Sequence, residues 1–508
     1  MGTNDEPMGL QPPTLLTPDD PTTLAVVGPD RSLTWNELER RTRQLARALD
    51  AAGVGPGRVW GVLARNRCEW PEVSLGNTRA GSRYVPLNWH LTAPEINALL
   101  VDSGCELVVV DAEFRAVAEE AATGTSVTRI VEFGAEYEGW LEAAGDDLLE
   151  QRMSGAPMMF TGGTTGKSKG VIRPERSAPV GSASPMAAWG ELVRMPDHGA
   201  TLLTTPLYHA LGTGAMSASL ARGVPIVVTR RFDPVETLRL IEEHRITAAP
   251  MVPTQFIRLL KLDEEQRTAH DLSSLEWILH TAAPCPAWAK RAMIEWLGPV
   301  IYEMYGSSEG TGPAICDSIE WLAHPGTVGR ASARIEYSIV DDDGSDLPPG
   351  EVGTIYCRRT DGAPEYHGDP DKTASITLPD GRFTVGDLGW LDEEGFLYLA
   401  DRRVDLILVA GSNVYPAEIE SVLSEHPAVA DVAVFGIPDP EWGEQVKAVI
   451  EPAGDVDLDL DDVRAFAASR LAAYKLPKSY DVVAELPREA HGKLKKRLLR
   501  DPYWAGSG

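Results

Sequence analysis

Short apolar runs alternate with stretches at helical spacing along most of this chain, and that alternation constrains the fold more than any other feature. Residues 59–64, 107–111, 201–205 and 224–229 read as buried strands. Helix starts lie between them. Thr34-Trp35-Asn36-Glu37 has the form of a capping box, with Thr34 as N-cap and Glu37 reaching back. Leu38, Leu45 and Leu49 then recur on one helical face as far as about Gly53. Asp233-Pro234 opens another helix, Asp as cap and Pro in the first turn. Strands alternating with helices predict α/β layers with mostly parallel sheets. Residues 1–30, rich in Pro, Asp and Thr, read as an irregular lead-in.

The pattern changes near residue 400. A short strand at 406–409, a helix led by Pro416, an alternating strand at 428–435, a helix at 461–473 and a basic helix at 493–500 follow. Together they predict a compact α+β unit of about 100 residues. The expected organisation is a large N-terminal domain, residues 1–401, and a small C-terminal domain, residues 402–508.

A formal net charge of −28 repels polyphosphate at long range and excludes a general nucleic-acid binder. Anionic ligands then need a local device. Five scattered cysteines with no CxxC pair form neither a disulfide framework nor a zinc site. No apolar run reaches the ~18 residues of a membrane helix. The first residues lack a signal peptide's basic and apolar regions, and Glu6 stands where myristoylation wants Ser or Thr. A cytoplasmic enzyme is expected, with monomer and homodimer both open.

The local device is at 160–170, Phe-Thr-Gly-Gly-Thr-Thr-Gly-Lys-Ser-Lys-Gly. Four glycines, three threonines and two lysines make a loop whose amides and hydroxyls can surround phosphate oxygens. It is not a P-loop: Thr161 stands where the first Gly of GxxxxGK[ST] belongs, and Pro174 follows where a helix should open.

This segment resembles the phosphate loop [YF]-T-[SG]-G-T-T-G-x-P-K-G of the adenylate-forming superfamily. Further matches follow in order: Pro206-Leu207-Tyr208-His209, Ala282-Ala283-Pro284, Tyr305-Gly306-Ser307-Ser308-Glu309, Gly386-Asp387-Leu388-Gly389, Asp401-Arg402, Gly411 through Glu420, Gly436-Ile437-Pro438-Asp439, Trp442-Gly443-Glu444, and Gly492-Lys493. The resemblance spans roughly residues 30–500 and is greatest to bacterial AMP-forming acyl-CoA ligases acting on fatty, steroid-derived or aromatic acids. It implies a layered α/β body with a mobile C-terminal cap. It also implies a reaction of ATP with a carboxylic acid that gives acyl-AMP and pyrophosphate, followed by transfer to CoA. Two anions must meet in line, so catalysis is mostly positioning and charge neutralisation.

Residue by residue, the resemblance assigns Thr161, Gly163, Thr164, Thr165 and Lys169 to the β- and γ-phosphates. Ala282, Ala283, Pro284 and Tyr305 go to the adenine side, Gly306 and Ser308 to the ATP site, and Asp387 to the ribose hydroxyls. Arg402 reaches ribose or phosphate. Glu309 would hold Mg²⁺, a hard ion that prefers carboxylate and phosphate oxygens. Lys493 would bridge the α-phosphate and the substrate carboxylate. His209 stands either at the mouth of the acyl tunnel or as a structural histidine. Trp189, Gly212, Met216 and Ser307 are candidates for the acyl pocket, with Arg403 and Val404 at the hinge. Val404 replaces the usual hinge Asp or Lys, Val409-Ala410-Gly411 replaces Ser-Gly-Gly, and Ser168 replaces the loop proline. The first two departures touch only the second half-reaction. They leave an amine acceptor, as in stand-alone amide synthetases of the superfamily, as the alternative to CoA.

Overall fold

The computed structural model describes every residue except 1–15, 17, 19, 162–168, 173–178, 183, 308–309, 342, 361, 364, 367–369, 403–404, 410–411, 440–441, 455–457, 489–493 and 506–508. Side chains at 161, 169–172, 365–366, 370–372, 401–402, 408, 412–413 and 443 are likewise outside the description. By packing, the chain divides into two units, one of residues 1–231 with 244–248 and the other of 232–243 with 249–508. The boundary expected at 401–402 falls inside the second.

The first unit is built on the predicted alternation. Five parallel strands stand in the order Arg129–Glu132, Leu107–Val110, Val59–Leu63, Arg83–Pro86, Ala156–Pro157. The two central ones, Val59–Leu63 and Leu107–Val110, are buried throughout, as a sheet covered on both faces requires. Helix Trp35–Ala51 starts as its sequence predicts. The Thr34 amide donates to the Glu37 carboxylate at 2.8 Å, and the Glu37 amide to Thr34 Oγ1 at 3.2 Å. Its buried face carries Leu38, Leu45 and Leu49. The lead-in is more ordered than expected. Leu24–Val27 is a strand, parallel to Ile226–Val228 and antiparallel to Ser32–Thr34. Four apolar residues between turn formers are too short for periodicity to show, and only a distant partner makes them a strand.

The second unit departs from the expectation of mostly parallel sheets. Trp277–His280 and Ile301–Tyr305 pair in parallel around helix Ala287–Leu297. From there six more strands pair antiparallel: Ala314–Cys316, Thr327–Ala331, Phe396–Arg402, Asp387–Leu391, Gly353–Arg359 and Ile335–Val340. Short turns such as the one between Tyr305 and Ala314 leave no room for a crossover helix, so these strands run back on themselves.

The C-terminal segment of this unit has its own sheet, Ser412–Val414, Ile407–Val409, Gly443–Pro452 and Val429–Asp439 in that order, with Ser479–Val482 parallel to Gly443–Pro452. Helices Pro416–Ser424 and Leu460–Ala468 pack on it through Ile419, Leu423, Val463 and Ala467, all fully buried. Strand Gly443–Pro452 went unpredicted because Glu444, Gln445 and Lys447 interrupt its apolar run. Lys447 is nonetheless buried, paired with Asp481 at 2.9 Å. The terminal helix runs Lys496–Trp504, later than expected. No helix of the described residues is long and apolar enough to cross a membrane.

Candidate active site

In the first unit, strands Met159–Thr161 and Lys169–Ile172 pair antiparallel, with Thr161 opposite Lys169. The backbone therefore brings together the two ends of the glycine-threonine loop. Gly163, Thr164 and Thr165 between them lie outside the described residues.

His209 is the N-cap of helix Ala210–Ala221, and its ring lies 4.2 Å from that of Tyr208. Gly212 has a packing reason of its own. A Cβ there would meet the Pro206 carbonyl at 2.8 Å and Thr205 Oγ1 at 3.1 Å. It lets the helix sit on the turn that precedes it. Gly214, two residues on, is the glycine that faces Trp189, with Trp189 Cη2 3.9 Å and Met186 Cε 3.7 Å from a would-be Cβ. Trp189 is half-buried on helix Pro185–Leu192, and Met216 is fully buried.

In the second unit, two loops leave the carboxyl ends of adjacent parallel strands, where open α/β sheets carry their ligands. His280 and Glu303 are opposite in the ladder, so residues 281–286 and 306–312 emerge side by side. Ala282 in the first loop is held at φ +76°, a left-handed conformation that costs a non-glycine residue roughly 1–2 kcal/mol. Ala282 and Pro284 are exposed and Ala283 is half-buried.

At the end of the second strand, Tyr305 donates its hydroxyl proton to Asp387 Oδ2 at 2.7 Å, both side chains nearly buried. Burial, and next the charge of Asp387, hold the phenol well above its ordinary pKa, so it stays a donor. Asp387 is opposite Arg402 in the neighbouring strand. Gly306 is exposed and Ser307 half-buried. Ser308, Glu309, Arg403, Val404 and Lys493 lie outside the described residues, and the side chain of Arg402 does too. No three His, Cys, Asp or Glu gather as a metal-binding group among the described residues.

Behind these loops is a buried group that motif reading missed. Lys290 Nζ donates to Glu303 Oε2 at 2.7 Å, and His280 Nε2 lies 3.6 Å from the same oxygen. Burial, with Lys290 adding to it, pushes the His280 pKa well below its ordinary value and keeps the ring neutral. Only the parity of strand 301–305, which turns Glu303 inward, would have signalled it.

A first unit with a glycine-threonine sequence between two paired strands, and a second with a buried, phenol-held carboxylate and a small α+β segment after it, define a nucleotide-handling enzyme. Residues 17–367 match the family model described as AMP-binding enzyme, and residues 418–493 match that of the AMP-binding enzyme C-terminal domain. The chain belongs to this adenylate-forming family. It is 34% identical over 502 residues to the fatty acid–[acyl-carrier-protein] ligase of Streptomyces coeruleorubidus, covering 96% of this chain and 95% of that one. It is 33% identical over 494 residues to the indoleacetate–CoA ligase of Aromatoleum aromaticum, covering 95% of each. Among solved structures it is similar to the amide bond synthetase McbA of Marinactinospora thermotolerans, with TM-score 0.80 and 29% identity over 94% of this chain and 96% of that one.

Proposed function

We propose that the chain activates a fatty, steroid-derived or aromatic carboxylic acid with ATP, releasing pyrophosphate, and passes the acyl group from acyl-AMP to the thiol of CoA. The observation that carries the nucleotide half is the Tyr305–Asp387 pair. The Tyr305 hydroxyl holds this buried carboxylate in place, and a carboxylate, with about four acceptor sites on its two oxygens, would suit the vicinal hydroxyls that a ribose offers. The phosphate loop would neutralise the leaving pyrophosphate, and Lys493 would neutralise the two anions that must approach one another. Mg²⁺, assigned to Glu309, would supply further charge neutralisation on the phosphates. Trp189 and Met186 lie against Gly214, and these apolar side chains would suit an acyl chain or ring.

The acceptor is assigned to CoA on the strength of relatives such as the indoleacetate–CoA ligase. Transfer to an amine is the second reading, supported by the likeness to an amide bond synthetase and by Val404 and Ala410. One assay tests both. A panel of acids with ATP is scored for pyrophosphate alone, with CoA, with small amines and with a carrier protein bearing a phosphopantetheine thiol. Pyrophosphate release with no acid dependence would overturn the adenylation reading, and acid-dependent release accelerated only by amines would move the assignment to the second.

A further inference from the structure

We propose that Arg359 and Tyr337 are positioning residues for acyl-AMP formation, fixing the backbone of the turn that follows Tyr305; this rests on the functional reading above. In the strand pair Ile335–Val340 and Gly353–Arg359, Tyr337 is opposite Cys357 and Ile335 is opposite Arg359. Ladder partners share a face of the sheet. Ile335, Tyr337, Ile339, Ile355 and Cys357 are buried on that face, while Glu336 and Arg358 point outward. Arg359 thus places a guanidinium where strand alternation calls for an apolar side chain.

The position is compensated by two consecutive backbone carbonyls. Arg359 Nη1 donates to the Gly310 carbonyl at 2.9 Å, and the Tyr337 hydroxyl donates to that of Thr311 at 2.7 Å. The turn also closes on itself. The Gly310 amide donates to the Ser307 carbonyl at 3.0 Å, and the Thr311 amide to Ser307 Oγ at 3.4 Å. Gly310 takes φ +98°, and a Cβ there would meet Arg359 Nη1 at 2.6 Å. A Cβ on Gly312 would meet the Tyr305 carbonyl at 2.3 Å. Gly310 and Thr311 are thus held from within the turn and, from outside it, by a pair of side chains from a different hairpin. The turn carries Ser307 and leaves directly from Tyr305, the residue that holds Asp387. In-line attack on a phosphate depends on placement, and a shift of about 1 Å in supporting structure can cost on the order of 100-fold.

The test uses the full chain. Arg359→Met keeps the stem and removes the guanidinium, Arg359→Lys keeps the charge, and Tyr337→Phe removes the second donor. Amide hydrogen exchange over residues 302–316 reads the brace without reference to activity, and acid-dependent pyrophosphate exchange reads the chemistry. The expected result for Arg359→Met is exchange at Gly310 and Thr311 at least about tenfold faster, kcat lower by about 10–100-fold, and KM for ATP within about threefold. The urea midpoint should stay near wild type, and Arg359→Lys and Tyr337→Phe should fall between. Unchanged exchange overturns the brace. Faster exchange with wild-type kcat, or a kcat loss matched by a fall in stability, overturns the positioning role and leaves the adenylation reading standing. Faster exchange in an enzyme whose wild type makes no acyl-AMP overturns that reading and the role together.

Discussion

The phenol of Tyr305 reaches a carboxylate 82 residues away in sequence, and under the proposed function this hydrogen bond helps to fix how Asp387 meets a nucleotide. Removing one donor to a buried charged acceptor costs about 1.5–3 kcal/mol. Tyr305→Phe should therefore raise the KM for ATP by about tenfold or more with kcat changed much less, and the discrimination against 2′-deoxy-ATP should shrink; steady-state pyrophosphate release with both nucleotides checks it. Lys493→Ala removes the cation assigned between phosphate and carboxylate. Acyl-AMP formation should fall by more than 100-fold, several kcal/mol of charge stabilisation. ATP binding, read by calorimetry, should survive, because Asp387 and Tyr305 are unchanged. Near-normal pyrophosphate exchange in this variant would remove Lys493 from the mechanism. Asp387 could be singled out in sequence because Gly386-Asp387-Leu388-Gly389 is a contiguous motif, whereas its pairing with Tyr305 depends on which strands become neighbours. Arg359 could not be, because Arg358-Arg359 reads as two solvated charges until the strand's parity is known.

Between elements, the first unit is tied by charge as well as by its core. Arg41 on helix Trp35–Ala51 donates to Glu72 on helix Trp70–Ala80 at 3.0 Å and to Glu138 on helix Ala135–Ala144 at 2.7 Å. Arg31 reaches both Glu138, at 3.1 Å, and Glu69, at 3.0 Å, and Arg67 joins Glu69 to Asp111 after strand Leu107–Val110. Burial raises the Glu69 pKa, but the hydrogen bond and charge of Arg67 outweigh it and hold the carboxyl below its usual range. Glu138 shifts the same way, burial opposed and overcome by Arg41. Carboxyls lowered on folding stabilise the protein above their unfolded pKa, and that stability is lost as pH falls through and below about 4.3. Urea unfolding followed from pH 7 down to about pH 3 should show this loss, and Glu69→Gln should flatten it. At pH 7 the same change should cost on the order of 1–3 kcal/mol, because it takes one carboxylate charge from both Arg67 and Arg31 and leaves them Asp111 and Glu138. A stability profile that Glu69→Gln leaves unaltered would refute the linkage. Helix Trp35–Ala51 was readable because its cap and its apolar spacing lie within one element. The antiparallel order of the second unit was not, since which strand pairs with which is set by distant partners.

For the whole molecule, the open matter is which acceptor the acyl-adenylate meets. A hinge residue absorbs the φ/ψ change of a turning domain, and if Val404 takes that role, as proposed, its β-branched side chain would be stiffer than Asp or Lys. Ala410 would add a methyl group at a position where the resemblance implies glycine. If both act on the second half-reaction, Val404→Lys with Ala410→Gly should raise thioester formation severalfold and leave pyrophosphate exchange unchanged. Single-turnover assays of each half-reaction decide it, and fast wild-type thioester formation indifferent to both changes would make the departures neutral. The order of strands also bears on how the chain is made. Strand Thr327–Ala331 finds one neighbour in Phe396–Arg402, and Thr327 Oγ1 donates to the Leu397 carbonyl, 70 residues later, at 2.8 Å. The intervening strands Ile335–Val340 and Gly353–Arg359 pair with one another and can close first. At roughly 5–20 residues per second on the ribosome, that edge of Thr327–Ala331 waits about 4–14 s for its partner. For that interval it offers open backbone donors and acceptors, the moment of biosynthesis when nascent copies are most prone to pair with each other and a chaperone has most to protect.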